Sequence, residues 1–324
     1  MARFSNRRMI HVAKVAILTT GGTIASRPGA GRMAHGDEVL GTVPGLHEAA
    51  EIVHEEFCVV ASSQMTPRMM FNLGKRAGEV LGGDVDGVVI THGTDTMEET
   101  VYMLDMVVPG PKPVVITGAM RTAEEVGTDG ARNLLEAVQV AASPEARSRG
   151  AMLVLNDEIH TGRFVAKVHS SNPRAFGSPS QGRVGEVHGN QPVFYVPPSP
   201  RKPVPTDDIV TEVELVRLYA GADDRLIKAC VAGGARGVVV EVMGNGNVPR
   251  GILPGLEECR KAGVPVVMVT RCQAGPVEIG RLEDQFGCTN GGEMSGLKAR
   301  LRLMLALAAA GQDRSPERMR QFFE

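Results

Sequence analysis

Five short runs, KVAILTT, FCVVASS, DGVVITHG, KPVVITGAM and GAMLVLND, are apolar almost throughout, and nothing else in the chain limits its fold as much. A strand with one wet face alternates apolar and polar residues. A strand buried on both faces does not, and such runs belong to parallel sheets covered by helices. The segments TPRMMFNLGKRAGEVL, TMEETVYMLDMVV and DGARNLLEAVQVAA lie between the runs; they return apolar residues at helical spacing, with Thr or Asp placed to cap them. The expectation is an α/β fold with a parallel sheet and right-handed crossovers.

From about Gly162 to Pro192 this rhythm is lost in a stretch rich in Gly, Ser, Asn and Pro, and VPPSPRKPVPTDD then continues neither helix nor sheet. The alternation resumes with TEVELVRLY, ARGVVVEVMGNGN and GVPVVMVTR as strands, and DDRLIKACVAG, LPGLEECRKAG and SGLKARLRLMLALAAAG as helices. A chain of 324 residues suits two domains. The prediction is a larger N-terminal domain over residues 1–195 with a mostly parallel sheet flanked by helices, a linker over 196–210, and a smaller C-terminal α/β domain over 211–324.

The formal net charge of −2 argues against nucleic acid or an anionic membrane as partner, and no run is long enough for a membrane span. The basic start MARFSNRR, followed by an apolar stretch, suggests a secretion signal. Lys14 interrupts that stretch, no small-residue cleavage site follows, and a cytoplasmic location is expected instead. Cys58, Cys230, Cys259, Cys272 and Cys288 form no C-x-x-C pair and read as reduced core thiols. The eight histidines show no metal spacing, so no metal is expected.

In an open parallel sheet, ligands bind beyond the carboxyl ends of the strands. The first exit carries TTGGT and the third THGTDTMEET, so each presents a threonine after glycine, Thr23 and Thr94. A dinucleotide site would need G-x-G-x-x-G entering a helix, but GGT leads into the loop SRPGAGRMAHGDE, and there is no P-loop. The hydroxyls remain, and a hydroxyl becomes a nucleophile only when a neighbour takes its proton. Lys167, after the fifth run, is the candidate relay; read alone, such a lysine is a solvated surface charge. Gly93 and Ala119 lie at strand exits where backbone N–H groups suit an oxyanion. Thr23 and Thr94 have a plainer reading as turn-closing residues.

Taken in order, TTGGTIAS, ASSQMTP, VVITHGTDTMEET, KPVVITGAMR, DGARNL, LNDEI, GRFVAK and MGNGNVP resemble the bacterial-type L-asparaginases of the asparaginase/glutaminase family, from about Lys14 to the C-terminus. The resemblance implies hydrolysis of L-asparagine to L-aspartate and ammonia, with some L-glutamine hydrolysis and no cofactor. Thr23 matches the nucleophile, Thr94 and Asp95 the second threonine and the aspartate, and Lys167 the relay lysine. Asp95 also matches the group that binds the substrate's amino end. Ser62 and Ser63 match the loop for its α-carboxylate. Asn247 matches an asparagine that serves a neighbouring subunit's site, in a homotetramer built as a dimer of dimers; Glu278 and Glu283 are alternative candidates for the glutamate that accompanies it.

The family's loop tyrosine has no counterpart: SRPGAGRMAHGDE offers Met33 near its position and His35 beyond, either a substitute base or a solvated histidine. This departure implies altered activation or specificity. Another small ω-amide, D-asparagine, or an amino acid bound without turnover are the alternatives.

Overall fold

The structure is a computed structural model that describes residues 12–30 and 32–324. The basic start expected to be no secretion signal, and Gly31 of the glycine loop, lie outside the described residues.

The first five runs form β1 (Lys14–Gly21), β2 (Glu51–Val60), β3 (Gly87–Thr91), β4 (Val114–Thr117) and β5 (Ala151–Leu155). FCVVASS is the exception to the expected two-sided burial: it supplies only the last four residues of β2, an edge strand with no buried residue. Three more strands complete an eight-stranded sheet: β6 (Glu158–Thr161), β7 (Gly185–His188) and β8 (Gln191–Phe194), in the order β8-β7-β6-β5-β4-β3-β1-β2. From β5 to β2 every pairing is parallel. The helices α1 (Pro67–Leu81), α2 (Met97–Val107) and α3 (Gly130–Ala142) connect these strands.

Successive side chains of a strand point to opposite faces, and the core divides accordingly. Val15, Ile17, Val89, Val115 and Met152 pack with Leu134, Ala137 and Val138 of α3. Ala16, Leu18, Ile90, Ile116 and Leu153 pack instead with Leu73 and Ala77 of α1 and Val101 and Leu104 of α2. This division corrects one expectation. The steps β3 to β4 and β4 to β5 run in the same direction across the sheet, yet α2 and α3 lie on opposite faces. The two crossovers therefore have opposite hands, and the right-handed rule that covers about 98% of such units does not hold for both. Between β4 and α3 the long stretch 118–129 gives the chain room to pass to the other face.

The stretch 162–192, read as irregular, contains short strands between its turns. Ala166–Lys167 pairs with Phe176–Gly177, and β6, β7 and β8 add an antiparallel edge to the sheet. These strands are two to four residues long, and their pairing is tertiary, so local composition hid them. The β5–β6 turn is Asn156-Asp157, both with positive φ (55° and 62°), the conformation that Asn and Asp tolerate in a two-residue hairpin. The loop after GGT is likewise structured: Ser26–Arg27 pairs with Arg32–Met33, and two short helices follow, Gly36–Leu40 and Leu46–Ala49.

A separate parallel sheet contains β9 (Val213–Arg217), β10 (Gly237–Val242), β11 (Val266–Thr270) and β12 (Thr289–Asn290), in that order. Its helices are α4 (Arg225–Ala232), α5 (Leu253–Ala262), α6 (Gly280–Phe286), α7 (Gly296–Ala310) and α8 (Pro316–Phe323). The sequence reading had missed α6 and α8. Helix α7 is apolar almost all round because it is covered on both sides. Leu301, Leu303, Met304 and Leu307 share one core with Val213, Val239 and Val267 of the small sheet and with Met70, Phe71, Tyr102 and Met106 of α1 and α2. Residues 197–212 carry neither helix nor strand, but Val204 and Ile209 enter this same core. Of the cysteines, Cys259 and Cys288 are buried, Cys58 and Cys230 are half-buried, and Cys272 is exposed; the last is not a core thiol.

Candidate active site

Strand order fixes where a site belongs. From β1 the chain moves outward to β2, then returns across β1 to β3 and continues through β4 and β5, so the order reverses between β1 and β3. At such a switch point the exits diverge and leave a crevice. Thr19 pairs with Thr91 in register, so Thr23 and Thr94 emerge side by side beyond the same edge.

Glycine sets how closely the two turns approach. Gly22 has φ 87°, and a Cβ there would stand 2.3 Å from the Gly93 nitrogen and 2.5 Å from its Cα. Only a residue without a side chain permits both the conformation and the contact. Gly118 does the same one strand further on, where a Cβ would meet the His92 carbonyl oxygen at 2.3 Å. The three turns carrying Thr23, Thr94 and Ala119 are thereby pressed together.

Around them the polar groups are paired. Lys167 Nζ donates to Thr94 Oγ1 at 3.0 Å and to Asp95 Oδ1 at 2.8 Å. The Lys167 side chain is only 15% exposed, which excludes the solvated reading. Its hydrogen bond to Asp95, together with its charge, holds that carboxyl below the usual carboxylate range. Buried Ser62 accepts the Asp95 backbone N–H at 3.2 Å, and its carbonyl accepts the Thr96 hydroxyl at 2.9 Å. Ser63 beside it is exposed. Gly93 and Ala119 are buried, and among the described residues neither N–H finds an acceptor. Half-buried Thr23 opens a 3-10 turn, and its hydroxyl makes no hydrogen bond among the described residues.

Two residues outside the sequence reading hold this arrangement. Asp129, at the N-cap of α3, does not cap it; its carboxylate accepts the backbone N–H groups of Met120 and Arg121 and so fixes the turn after Ala119. His92 is fully buried, with Nδ1 2.6 Å from the Gly93 carbonyl oxygen and Nε2 3.0 Å from Thr100 Oγ1. Burial pushes its pKa down to about 4, so it is neutral near pH 7. Asp129 stands in the quoted DGARNL and His92 in VVITHGTDTMEET, but their contacts are with loops distant in sequence.

The glycine loop is tied at both ends. Its Ala34 N–H bonds the Ala25 carbonyl at 2.6 Å, and Gly29 N–H bonds a Glu124 carboxylate oxygen at 2.9 Å. Met33 is opposite Ser26, over Gly21. His35 is exposed, opens the short helix Gly36–Leu40, and turns Nδ1 to the Glu56 carboxylate at 3.0 Å. At the small sheet's exits, the Met243–Asn247 turn closes on itself, and Glu278 N–H bonds the Asn245 carbonyl at 3.1 Å. The side chains of Asn247 and Glu278 are exposed there, whereas Glu283 lies within α6, away from that turn's hydrogen bonds. Among the described residues there is no group of His, Cys, Asp and Glu that could hold a metal, and no helix long and apolar enough to cross a membrane.

Comparison with known proteins gives the same outline. Residues 14–200 match the family described as Asparaginase, N-terminal, and residues 212–323 match the Glutaminase/Asparaginase C-terminal domain. A glutaminase-asparaginase of Pseudomonas fluorescens biotype A is 35% identical, over 97% of this chain and 91% of the relative. A probable periplasmic L-asparaginase of Haemophilus influenzae is 34% identical, over 96% of this chain and 92% of the relative. The crystal structure of a probable cytoplasmic L-asparaginase from Campylobacter jejuni superposes with a TM-score of 0.88 at 33% identity, covering 96% of this chain and 99% of that one. Two matched domains that span nearly the whole chain, on the fold and strand exits described above, make it a member of the asparaginase/glutaminase family.

Proposed function

We propose that this protein hydrolyses L-asparagine to L-aspartate and ammonia through an acyl-enzyme on Thr23. The observation that carries the reading is Lys167 Nζ bonded to both Thr94 and Asp95, on a turn that Gly22 and Gly93 bring against Thr23. Thr23 Oγ1 forms a bond to the side-chain amide carbon while the Thr94–Lys167–Asp95 group accepts its proton. The N–H groups of Gly93 and Ala119 receive the oxyanion. The C–N bond then breaks, the relay returns the proton to the departing nitrogen, and ammonia leaves. Water attacks the ester and releases aspartate and the free threonine hydroxyl.

Ser62 and Ser63 take the α-carboxylate in this reading, and Asp95 takes the amino group as well as orienting Lys167. The chemistry is supplied by protein groups, without a cofactor. Two copies pair so that Asn247 reaches the partner's site, accompanied by Glu278, which shares a backbone bond with that turn; a dimer of dimers completes the assembly. The domain limits 1–195, 196–210 and 211–324 and a cytoplasmic location belong to the same proposal. A named glutaminase-asparaginase among the relatives supports L-glutamine as a second substrate.

One observation favours a variant of this reading. Among the described residues the Thr23 hydroxyl has no hydrogen-bonded base: Met33 stands near the place of the family's tyrosine, and His35 faces Glu56. Turnover of L-asparagine is then slow, or another ω-amide or D-asparagine is preferred. Ammonia release on L-Asn, D-Asn, L-Gln and simple ω-amides, with Thr23→Ala as the blank, tests both. Turnover that vanishes in the blank supports the nucleophile. Tight amino-acid binding with silence across the panel replaces the hydrolase by a binding protein.

A further inference from the structure

Lys167 does not stand on the large sheet. It ends a segment that leaves β6 and crosses the back of α2, where a Cβ on Gly162 would lie 2.8 Å from the Val101 carbonyl oxygen. Among the described residues its two-residue strand pairs only with Phe176–Gly177. A lysine that must keep 2.8 Å and 3.0 Å contacts from so short an element depends on whatever holds residues 163–167 in place.

A buried charge on the small domain holds that segment. Lys298, in the first turn of α7, belongs to the small domain and is 2% exposed. Its Nζ donates to the carbonyls of Arg163 at 3.0 Å and Val165 at 2.6 Å. From α2, partly buried Glu98 adds an opposite charge near Lys298, favouring the charged form of the lysine. Burying a lysine is costly: desolvation pushes the pKa of Lys298 down to about 8 and that of Glu98 up. An apolar residue would fill the same space at lower cost, were the space all that mattered.

We infer that Lys298 is a positioning residue that holds Lys167 in reach of Thr94 and Asp95, so that the small domain sets the geometry of a relay formed entirely in the large one. The inference rests on the hydrolase reading for its catalytic consequence, but not for its structural one. Misplacing a reacting group by about 1 Å costs up to about 100-fold in rate.

The test compares Lys298→Met with Arg302→Met in the full chain. Arg302 is also on α7, is buried, and donates to the carbonyls of Phe322 and Lys202, with no hydrogen bond to residues 163–167 among the described residues. Both variants lose thermal stability. Lys298→Met is expected to lower kcat on the preferred amide by about 10- to 100-fold with KM changed less than about threefold. Arg302→Met is expected to keep kcat. Amide hydrogen exchange read over residues 163–168 rises in Lys298→Met and not in Arg302→Met. Equal kcat loss in the two α7 variants, or unchanged exchange at 163–168, overturns the inference. If the wild type turns over no amide, the hydrolase reading fails, and the exchange result alone decides the positioning role.

Discussion

The parallel strands of this chain's two sheets end in the same kind of edge, and they treat their polar groups in opposite ways. At the exits of β1, β3 and β4, Thr94, Asp95, Lys167 and Ser62 are bonded to one another, and three turns touch through glycine. At the exits of β10 and β11, the backbone of 243–247 closes on itself, while the side chains of Asn247 and Glu278 point into solvent and make no hydrogen bond among the described residues. The first edge is preorganised, as a site that must stabilise a transition state has to be. The second is open, with rigid backbone and free side chains, as suits a surface offered to another molecule.

A single methyl group is the sharpest way to break that contrast. Gly22→Ala puts a Cβ 2.3 Å from the Gly93 nitrogen at φ 87°. It should separate the Thr23 and Thr94 turns, reduce turnover about 100-fold or more, and destabilise by more than about 2 kcal/mol. Gly263→Ala, at φ 65° with nothing within 4 Å of the new atom, should cost about 1 kcal/mol and leave turnover alone. Similar losses in the two variants, read by denaturant unfolding and ammonia release, would remove the distinction between a crowded edge and an ordinary turn.

Asn247→Ala probes the open edge. If the proposed pairing of subunits is right, loss of its hydrogen bond to substrate should raise KM about three- to tenfold without moving the unfolding midpoint. An unchanged KM would mean that the small sheet's exits serve no site. His92 acts through pH rather than through turnover. Its folded pKa, about 4, is below its unfolded value of about 6.5, so the unfolded chain binds more protons between these limits. Stability from this group is present above pH 6.5 and is lost as pH falls towards 4. In His92→Gln the slope of unfolding free energy over that window should be shallower by about one proton; an unaltered slope would show that the ring is not held neutral.

How much of this was legible from residues alone depended on the range of the interaction. Two-sided burial is written into each strand, so β1, β3, β4 and β5 and the helices α1 to α3 could be read directly. The opposite hand of the β4–α3–β5 crossover could not, because nothing local in DGARNLLEAVQVAA says which face it covers. Capping shows the same divide. Thr66 caps α1 as its type predicts, accepting the Met69 N–H at 3.3 Å. Thr96 and Asp129 stand in the same position on α2 and α3 but turn their oxygens to Ser62 and to Met120 and Arg121. The cap rule fails at the two helices that border the candidate site, where local preference yields to holding the chemistry in place. Lys167 was found by its motif, whereas Lys298, far along the chain in a helix that reads as plain core, gave no signal.

The most direct measurement is the site of the covalent intermediate. The enzyme is mixed with its preferred amide substrate, quenched in acid within milliseconds, digested and weighed by mass spectrometry. With L-asparagine the peptide containing Thr23 should carry one added aspartyl group, and Thr23→Ala should show neither adduct nor ammonia. An adduct on the Thr94 peptide, or ammonia released undiminished by Thr23→Ala, would contradict the assignment of Thr23 as nucleophile and of Thr94, Asp95 and Lys167 as its relay.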